Sequence, residues 1–170
     1  DVLGSELITN GEFDGEIGST NLYSNSEPTA NESAEGDVTY ESFAWDNGFT
    51  NCIKFGDNSV TRYRYGGTSS GQAETLSFYV IMDDFSEPVF GGGTNTGDFS
   101  VVIGGSLASI NPQVEHIIGD IYRVSVSKNS SSGGGGNGIA KYSTQSSKGF
   151  RVVGWQLEAL PYACLLYTSP

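Results

Sequence analysis

Short apolar segments separated by glycine-rich polar segments constrain the fold of this chain more than any other feature of its sequence. None of the apolar segments shows the 3.6-residue period of an amphipathic helix. The chain has 24 glycines in 170 residues, and glycine is about 1 kcal/mol worse than alanine inside a helix. The pattern therefore predicts an all-β fold, an antiparallel β-sandwich, formed as one domain over residues 1–170.

The predicted strands are short, and several alternate between apolar and polar residues. Residues 15–37 are polar and acidic, so they predict a long excursion or weak edge strands. From residue 38 onward the predicted strands are Val38–Trp45, Cys52–Phe55, Val60–Tyr65, Glu74–Met82, Phe99–Ile103, Gln113–Ile118, Ile121–Ser127, Ile139–Ser143 and Phe150–Leu160.

The net charge of −12 limits the partners that the chain can bind. Nucleic acid is excluded, because phosphate binding requires a basic surface that releases counterions. An anionic membrane surface is excluded for the same reason, and no apolar run is long enough to insert into a membrane. A neutral polysaccharide, or a cation held by carboxylates, is compatible with this charge.

No catalytic motif is present in the sequence. His116 is the only histidine, and it lies within a predicted strand beside two isoleucines. A serine hydrolase would need a Gly-x-Ser-x-Gly turn, which is missing. The clusters at 91–97 and 133–138 are rich in glycine, but neither continues as a phosphate-binding loop. Among twenty Asp and Glu residues, nothing singles out the pair that a glycosidase needs. The chain is therefore predicted not to be an enzyme.

The C-terminal run Gly149–Thr168 carries a resemblance to a known family. The positions that match are Gly154, Gln156, Leu157, Glu158, Tyr162, Ala163 and Thr168. This run resembles the closing strand of a jelly-roll module of phage tail and virion proteins, and Ser77–Val80 and Tyr122–Ser125 are similar to internal strands of that module. The module is related to the Ca-binding β-sandwich carbohydrate-binding modules of glycosidases.

This resemblance implies a function as well as a jelly-roll fold. It implies a non-catalytic carbohydrate-binding module of a phage or viral surface protein, which binds a polysaccharide or a cell-surface glycan. It also implies a place on a virion surface or outside the cell, within a larger or oligomeric virion protein. Two alternatives stay open: a structural virion domain without a sugar site, and a substrate-targeting module of a polysaccharide-degrading enzyme.

The resemblance also implies a structural Ca²⁺ site. The Ca-binding relatives use a backbone carbonyl and a carboxylate at positions that correspond to Glu12 and Asp14. A turn of an acid followed by glycine adds ligands there, and its counterpart is Asp46-Asn47-Gly48, with a carbonyl near Thr50. The relatives also place an Asp where this chain has Trp155. Because Ca²⁺ takes six to eight oxygen ligands, a solvated acidic turn is the alternative.

Aromatic residues provide the candidate ligand site. Side chains of a strand alternate between its two faces, so in Thr61–Tyr65 the tyrosines share one face and the arginines share the other. Aromatic rings stack on sugars, and arginines form paired hydrogen bonds with hydroxyls or carboxylates. The candidate ligand-binding residues are Trp45, Arg62, Tyr63, Arg64 and Tyr65. The alternative places the tyrosines in the core, the arginines beside surface acids and Trp45 as a core anchor.

The chain has two cysteines, Cys52 and Cys164. Their spacing shows no disulfide framework. A disulfide between neighbouring strands and a pair of buried free thiols both stay open.

Overall fold

The computed structural model describes residues 27–28, 34–57, 61–65, 71–90, 95–129 and 136–163, with the backbone alone described at 34–35 and 61–65. All regular elements within these ranges are β-strands, arranged in two antiparallel sheets. The predicted all-β sandwich is therefore confirmed, and its jelly-roll type stays a prediction. The described residues contain no helix that is long and apolar enough to cross a membrane.

The larger sheet has six strands, and its middle is formed by the strand that comes last in the described chain. In spatial order these strands are β2 (Val38–Ser42), β3 (Asn51–Phe55), β11 (Phe150–Glu158), β5 (Glu74–Met82), β9 (Ile121–Lys128) and β8 (Ile110–Ile118). Because β11 pairs with both β3 and β5, it joins segments that are far apart in the sequence.

The smaller sheet has five strands. In spatial order these are β1 (Ala34–Glu35), β4 (Thr61–Tyr65), β10 (Asn137–Lys141), β6 (Ser100–Ile103) and β7 (Ser106–Leu107). The chain passes repeatedly from one sheet to the other, as between β3 and β4 and again between β4 and β5. This path places the two sheets on opposite sides of a common core, to which both contribute residues.

Aromatic rings form the centre of that core. The Phe78 ring centroid lies 5.1 Å from that of Trp155 and 5.9 Å from that of Phe99. Phe150 lies 4.9 Å from Phe99 and stacks on Phe55 at 4.6 Å. All five side chains are fully buried, so each contributes roughly 1.5–3 kcal/mol or more of hydrophobic free energy. Phe99, which precedes β6 of the smaller sheet, joins the four rings of the larger sheet, and Val101, Ile103 and Ile139 complete the core from the smaller sheet.

A second apolar cluster lies on the outer face of the six-stranded sheet. The segment 43–49 folds over this face, with backbone hydrogen bonds from Phe43 N to Thr50 O and from Trp45 N to Phe49 O. The cluster, called the outer cluster below, consists of Trp45, Phe49, Cys52, Ile81, Ile121 and Val153, with Phe43 and Tyr79 packed against it. One half of the outer face is therefore apolar and covered.

Candidate functional site

The other half of the outer face is polar and open. It forms a trough with a volume of about 360 Å³, which falls within the ~300–1,000 Å³ range of ligand pockets. The residues that line the trough are Thr75, Asn111, Gln113, Glu115, Arg123, Ser125, Ser127, Pro161, Tyr162 and Ala163. Most of these side chains carry hydroxyl, amide, carboxylate or guanidinium groups.

The strand register explains why these polar groups lie together. Core residues alternate with outward residues along β5 and β9, and directly paired residues of neighbouring strands point to the same face. One row of paired residues crosses the sheet as Gln156, Ser77, Ser125 and Gln113. Beside that row, Thr75 pairs with Ser127. The register therefore places a band of hydrogen-bonding groups across four strands, β11, β5, β9 and β8.

Arg123 is the cation of the trough, and its position is fixed. Its side chain is only 9% exposed, and Nη2 donates a hydrogen bond to Ser77 Oγ at 3.2 Å. Its register neighbour on β8 is Glu115, which is exposed. The most accessible charged group of the trough is therefore a carboxylate, with the guanidinium recessed beside it.

The segment after β11 forms one wall of the trough. Thr75 Oγ1 donates to the carbonyl of Leu160 at 2.7 Å, and Ser127 Oγ donates to that of Pro161 at 3.0 Å. These two bonds attach the segment to β5 and β9. Tyr162 is 57% exposed, so its ring is an open surface at the edge of the trough.

The predicted ligand strand lies in the other sheet. β4 runs between β1 and β10, with Tyr63 paired to Ile139 and Arg62 paired to Ala140. The side chains of Arg62, Tyr63, Arg64 and Tyr65 lie outside the described residues. The structure therefore does not bring β4 and the trough together on one sheet, and the role of these four side chains stays a prediction.

Trp45 is placed in the outer cluster rather than at an open groove. It is 5% exposed, and its ring makes an edge contact with Phe43 at 5.6 Å. The buried indole offers no open face to a ligand. Its packing supports the interpretation as a core anchor.

Three of the five predicted calcium ligands, Asp46, Asn47 and Thr50, lie in the described part of the chain. The Thr50 carbonyl accepts the Phe43 N–H at 2.9 Å, and the Thr50 N–H donates to Glu27 Oε1 at 2.6 Å. Asp46 is exposed and Asn47 is half-buried, while Glu12 and Asp14 lie outside the described residues. The described part of the chain contains no group of three or more His, Cys, Asp or Glu that could hold a metal ion. Calcium binding stays a prediction, which the melting temperature in EDTA and then in excess Ca²⁺ tests.

His116 serves the turn between β8 and β9. Its Nε2 lies 2.8 Å from the Gly119 carbonyl, and its ring makes an edge contact with Tyr122 at 5.2 Å. These contacts fix the turn. They leave the imidazole outside the trough.

The sequence does contain a sign of the trough, which is the alternation of polar and apolar residues along one strand. In Ile121–Lys128, the polar residues Arg123, Ser125 and Ser127 occupy alternate positions. This alternation indicates a polar outward face on a strand whose other face is in the core. It does not show which strands lie on either side, and those neighbours complete the trough.

The comparisons with family models and curated proteins found no relative of this chain. No protein-family model matches the chain, and no curated protein matches its sequence.

Proposed function

We propose that this chain is a non-catalytic carbohydrate-binding domain whose ligand lies in the trough. The observation that carries the proposal is the row of hydroxyl and amide side chains across the outer face, next to the exposed ring of Tyr162. Sugar-binding sites need hydrogen-bonding groups for hydroxyls and an aromatic face for the C–H surface of the ring. The trough supplies both.

Each polar or aromatic side chain of the trough suits a different contact with a sugar. Gln113 and Ser125 can donate and accept hydrogen bonds, so they suit sugar hydroxyls, which also do both. The exposed Glu115 carboxylate accepts two hydroxyls, and the recessed Arg123 donates. Tyr162 supplies the ring face. An open trough of this kind binds an extended chain along its length rather than enclosing one small molecule.

The setting of the domain is part of the proposal. A place on a phage or other virion surface rests on the resemblance of the C-terminal run alone. A single trough that stacks one ring binds weakly, because each aromatic contact adds only about 0.5–1.5 kcal/mol beyond area burial. An oligomeric surface protein would offset this through multivalency.

The test is calorimetry or affinity electrophoresis against a panel of neutral and acidic polysaccharides. For a polysaccharide that binds, Tyr162→Ala should weaken binding by roughly 2- to 13-fold, as expected for the loss of one aromatic contact. Gln113→Ala should also weaken it. Phe85→Ala is the matched control, because Phe85 is another exposed aromatic residue that does not line the trough.

A second set of variants separates the two sheets. It replaces Arg62, Tyr63, Arg64 and Tyr65 of β4 one at a time with Ala. If these variants lose binding while Tyr162→Ala and Gln113→Ala keep it, the ligand lies on the five-stranded sheet and the trough is the wrong site. If no polysaccharide binds the wild type, the proposal fails and a structural role takes its place.

A further inference from the structure

A second pocket lies at the opposite end of the outer face from the trough. It has a volume of about 130 Å³ and is lined by Phe43, Ala44, Asp46, Ile81, Phe85, Asp120 and Ile121. Thr75 of the trough and Ile81 of this pocket are six residues apart on β5, a separation of about 20 Å at the rise of a strand. On β9 the two sites come nearer, because Arg123 of the trough is two residues from Ile121. They share no lining residue, and we call this one the end pocket.

The floor of the end pocket is apolar and its edge is acidic. Ile81 and Ile121 are buried members of the outer cluster, and Phe85 is 66% exposed. Asp46 and Asp120 are both exposed, and neither carboxylate accepts a hydrogen bond from the described part of the chain. The surface thus offers an apolar hollow between two negative charges that no cation of the described residues pairs with.

Phe85 is held outward by a fixed turn. Its backbone is left-handed, with φ of 58°, and its N–H donates to the Met82 carbonyl at 3.0 Å. Asp84 Oδ1 accepts the Ser86 N–H at 3.1 Å, and Asp84 Oδ2 pairs with Lys148 at 2.9 Å. The exposed ring is therefore presented by an ordered turn at the edge of the hollow.

The size of the end pocket limits its occupant. At about 130 Å³ it is below the ~300 Å³ minimum of most small-molecule sites, so it suits one side chain of a partner protein. Long basic side chains bury their aliphatic stems on apolar surface and keep their charge in water. An arginine fits this pattern, because its guanidinium also stacks on aromatic rings and pairs with carboxylates.

The same face already holds one arginine in this manner. The guanidinium carbon of Arg151 lies 4.7 Å from the centre of the Phe43 ring. Its Nε donates to Glu41 at 2.5 Å, and its Nη1 donates to Asp83 at 2.8 Å. This contact is an internal example of an aromatic ring and two carboxylates that hold a guanidinium. The end pocket repeats the combination with Phe85, Asp46 and Asp120 but has no cation of its own among the described residues.

We propose that the end pocket docks an arginine-bearing segment of a partner protein. The arginine stem lies on the exposed ring of Phe85, and the guanidinium lies between Asp46 and Asp120. A second copy of this chain is a poorer occupant, because two molecules of net charge −12 repel each other. The inference is independent of sugar binding, since the two sites share no lining residue.

The test uses two capped peptides that differ only in charge. One carries two arginines separated by a leucine, and its twin carries citrulline in place of both arginines. Each is titrated into ¹⁵N-labelled protein at low and at high salt. The expected result is saturable amide shifts at residues 43–46, 81–85 and 119–121 with the arginine peptide, weaker binding at high salt, and weaker binding of the citrulline twin.

Variants then locate the contact. Asp46→Asn and Asp120→Asn should each weaken the arginine peptide by about 1.5- to 5-fold, the range of an exposed ion pair. Phe85→Ala should weaken it as well. Glu87→Gln is the matched control, because it removes one exposed negative charge from the same turn without touching the end pocket. Tyr162→Ala should bind the peptide like the wild type.

Three results would overturn the inference. The first is equal binding of the arginine and citrulline peptides. The second is loss of binding in Glu87→Gln as large as in the two Asp variants, which would indicate a net-charge effect. The third is a concentration-dependent dimer in sedimentation that Phe85→Ala abolishes, which would assign the end pocket to a second copy of this chain.

Discussion

The Tyr79 ring lies directly over Gly154. A Cβ atom added at Gly154 would lie 2.5 Å from Tyr79 Cδ2 and 3.2 Å from Phe49 Cε2. Gly154 also has φ of +70°, and it lies where the register of β11 against β5 shifts between Val153 and Gln156. The bulge therefore requires glycine twice, once for the backbone and once for the ring that covers it.

Gly154→Ala should destabilise the fold by roughly 2–4 kcal/mol, since left-handed strain and overpacking add. Gly48→Ala is the matched control. Gly48 has φ of +97° but nothing within 4 Å of an added Cβ, so it should cost only the strain, about 1–2 kcal/mol. Urea unfolding measures both values. Equal losses would show that the Tyr79 contact adds nothing.

The Cys52 thiol should be unreactive in the native state. It is a free, fully buried cysteine, and burial, together with the nearby Glu41 carboxylate, raises its pKa to about 12. Because the thiolate is the reactive form, a Cys164→Ser variant, with Cys52 as its sole thiol, should react with a thiol reagent only as fast as it unfolds. Addition of urea should release one equivalent. Rapid labelling without urea would contradict the buried position.

Glu27 should lose its stabilising contact in acid. Its Oε1 accepts hydrogen bonds from the backbone N–H groups of Thr50 and Asn51, both at 2.6 Å. Burial raises the pKa of Glu27, but these bonds and those from the two side chains outweigh it, so the net pKa lies below the ordinary 4.5. Because the pKa is lowered, the Glu27 carboxylate stabilises the fold fully above its ordinary pKa of 4.5. This stabilisation is lost as the pH falls through the pKa of the folded state.

The measurement is the free energy of unfolding of wild type and Glu27→Gln across acidic pH. The wild type should be more stable at neutral pH, and the difference should shrink as the pH falls below 4.5. Glu87→Gln, at an exposed acid outside this contact, is the control. A difference that does not change with pH would show that the contact is independent of charge.

The strand pattern could be predicted wherever one face of a strand is core. The predicted strand Glu74–Met82 is observed with the same bounds, and the observed strand Ile121–Lys128 is one residue longer than the predicted one. The predicted strand Val38–Trp45 is too long, because the observed strand β2 ends at Ser42. Phe43 and Trp45 are also apolar, but they are out of phase with Val38 and Tyr40 and pack on the outer face of the sheet. Apolar residues that cover the outer face therefore make a strand look longer in the sequence than it is.

The trough could not be predicted, for a different reason. Its residues come from the β8–β9 hairpin, from β5 and from the segment after β11, and the last two are far from the hairpin in sequence. The aromatic and cationic residues of Thr61–Tyr65 are adjacent in sequence, and for that reason the sequence pattern predicts a ligand site there. A site assembled by strand order leaves a trace in sequence only as alternate polar positions, such as Ser125 and Ser127.

Lys141 is a buried cation that joins two loops to the five-stranded sheet. Its side chain is fully buried, and its Nζ donates to the carbonyls of Gly56 and Lys148. The ammonium also lies 5.8 Å from the centre of the Phe150 ring. Lys141→Ala should therefore destabilise the fold by roughly 2–5 kcal/mol, because it leaves a cavity and removes the donor from two carbonyls. Lys128→Ala is the control, since Lys128 also binds a carbonyl, that of Ile103 at 2.8 Å, but is only half-buried.

The effect of Lys141 on the free energy of unfolding should depend on pH, and the direction follows from its pKa. Burial lowers the pKa of Lys141 from the ordinary 10.5, against the attraction of Asp98 and Asp57. Between the lowered value and 10.5 the unfolded chain binds more protons than the folded one, so stability rises with pH in that window. Lys141→Met keeps the length of the side chain and removes the charge. The stability of the wild type relative to this variant should therefore increase as the pH rises from neutral towards 10.5, measured by urea unfolding at each pH. A constant difference would show that the ammonium is as well solvated in the folded protein as in water.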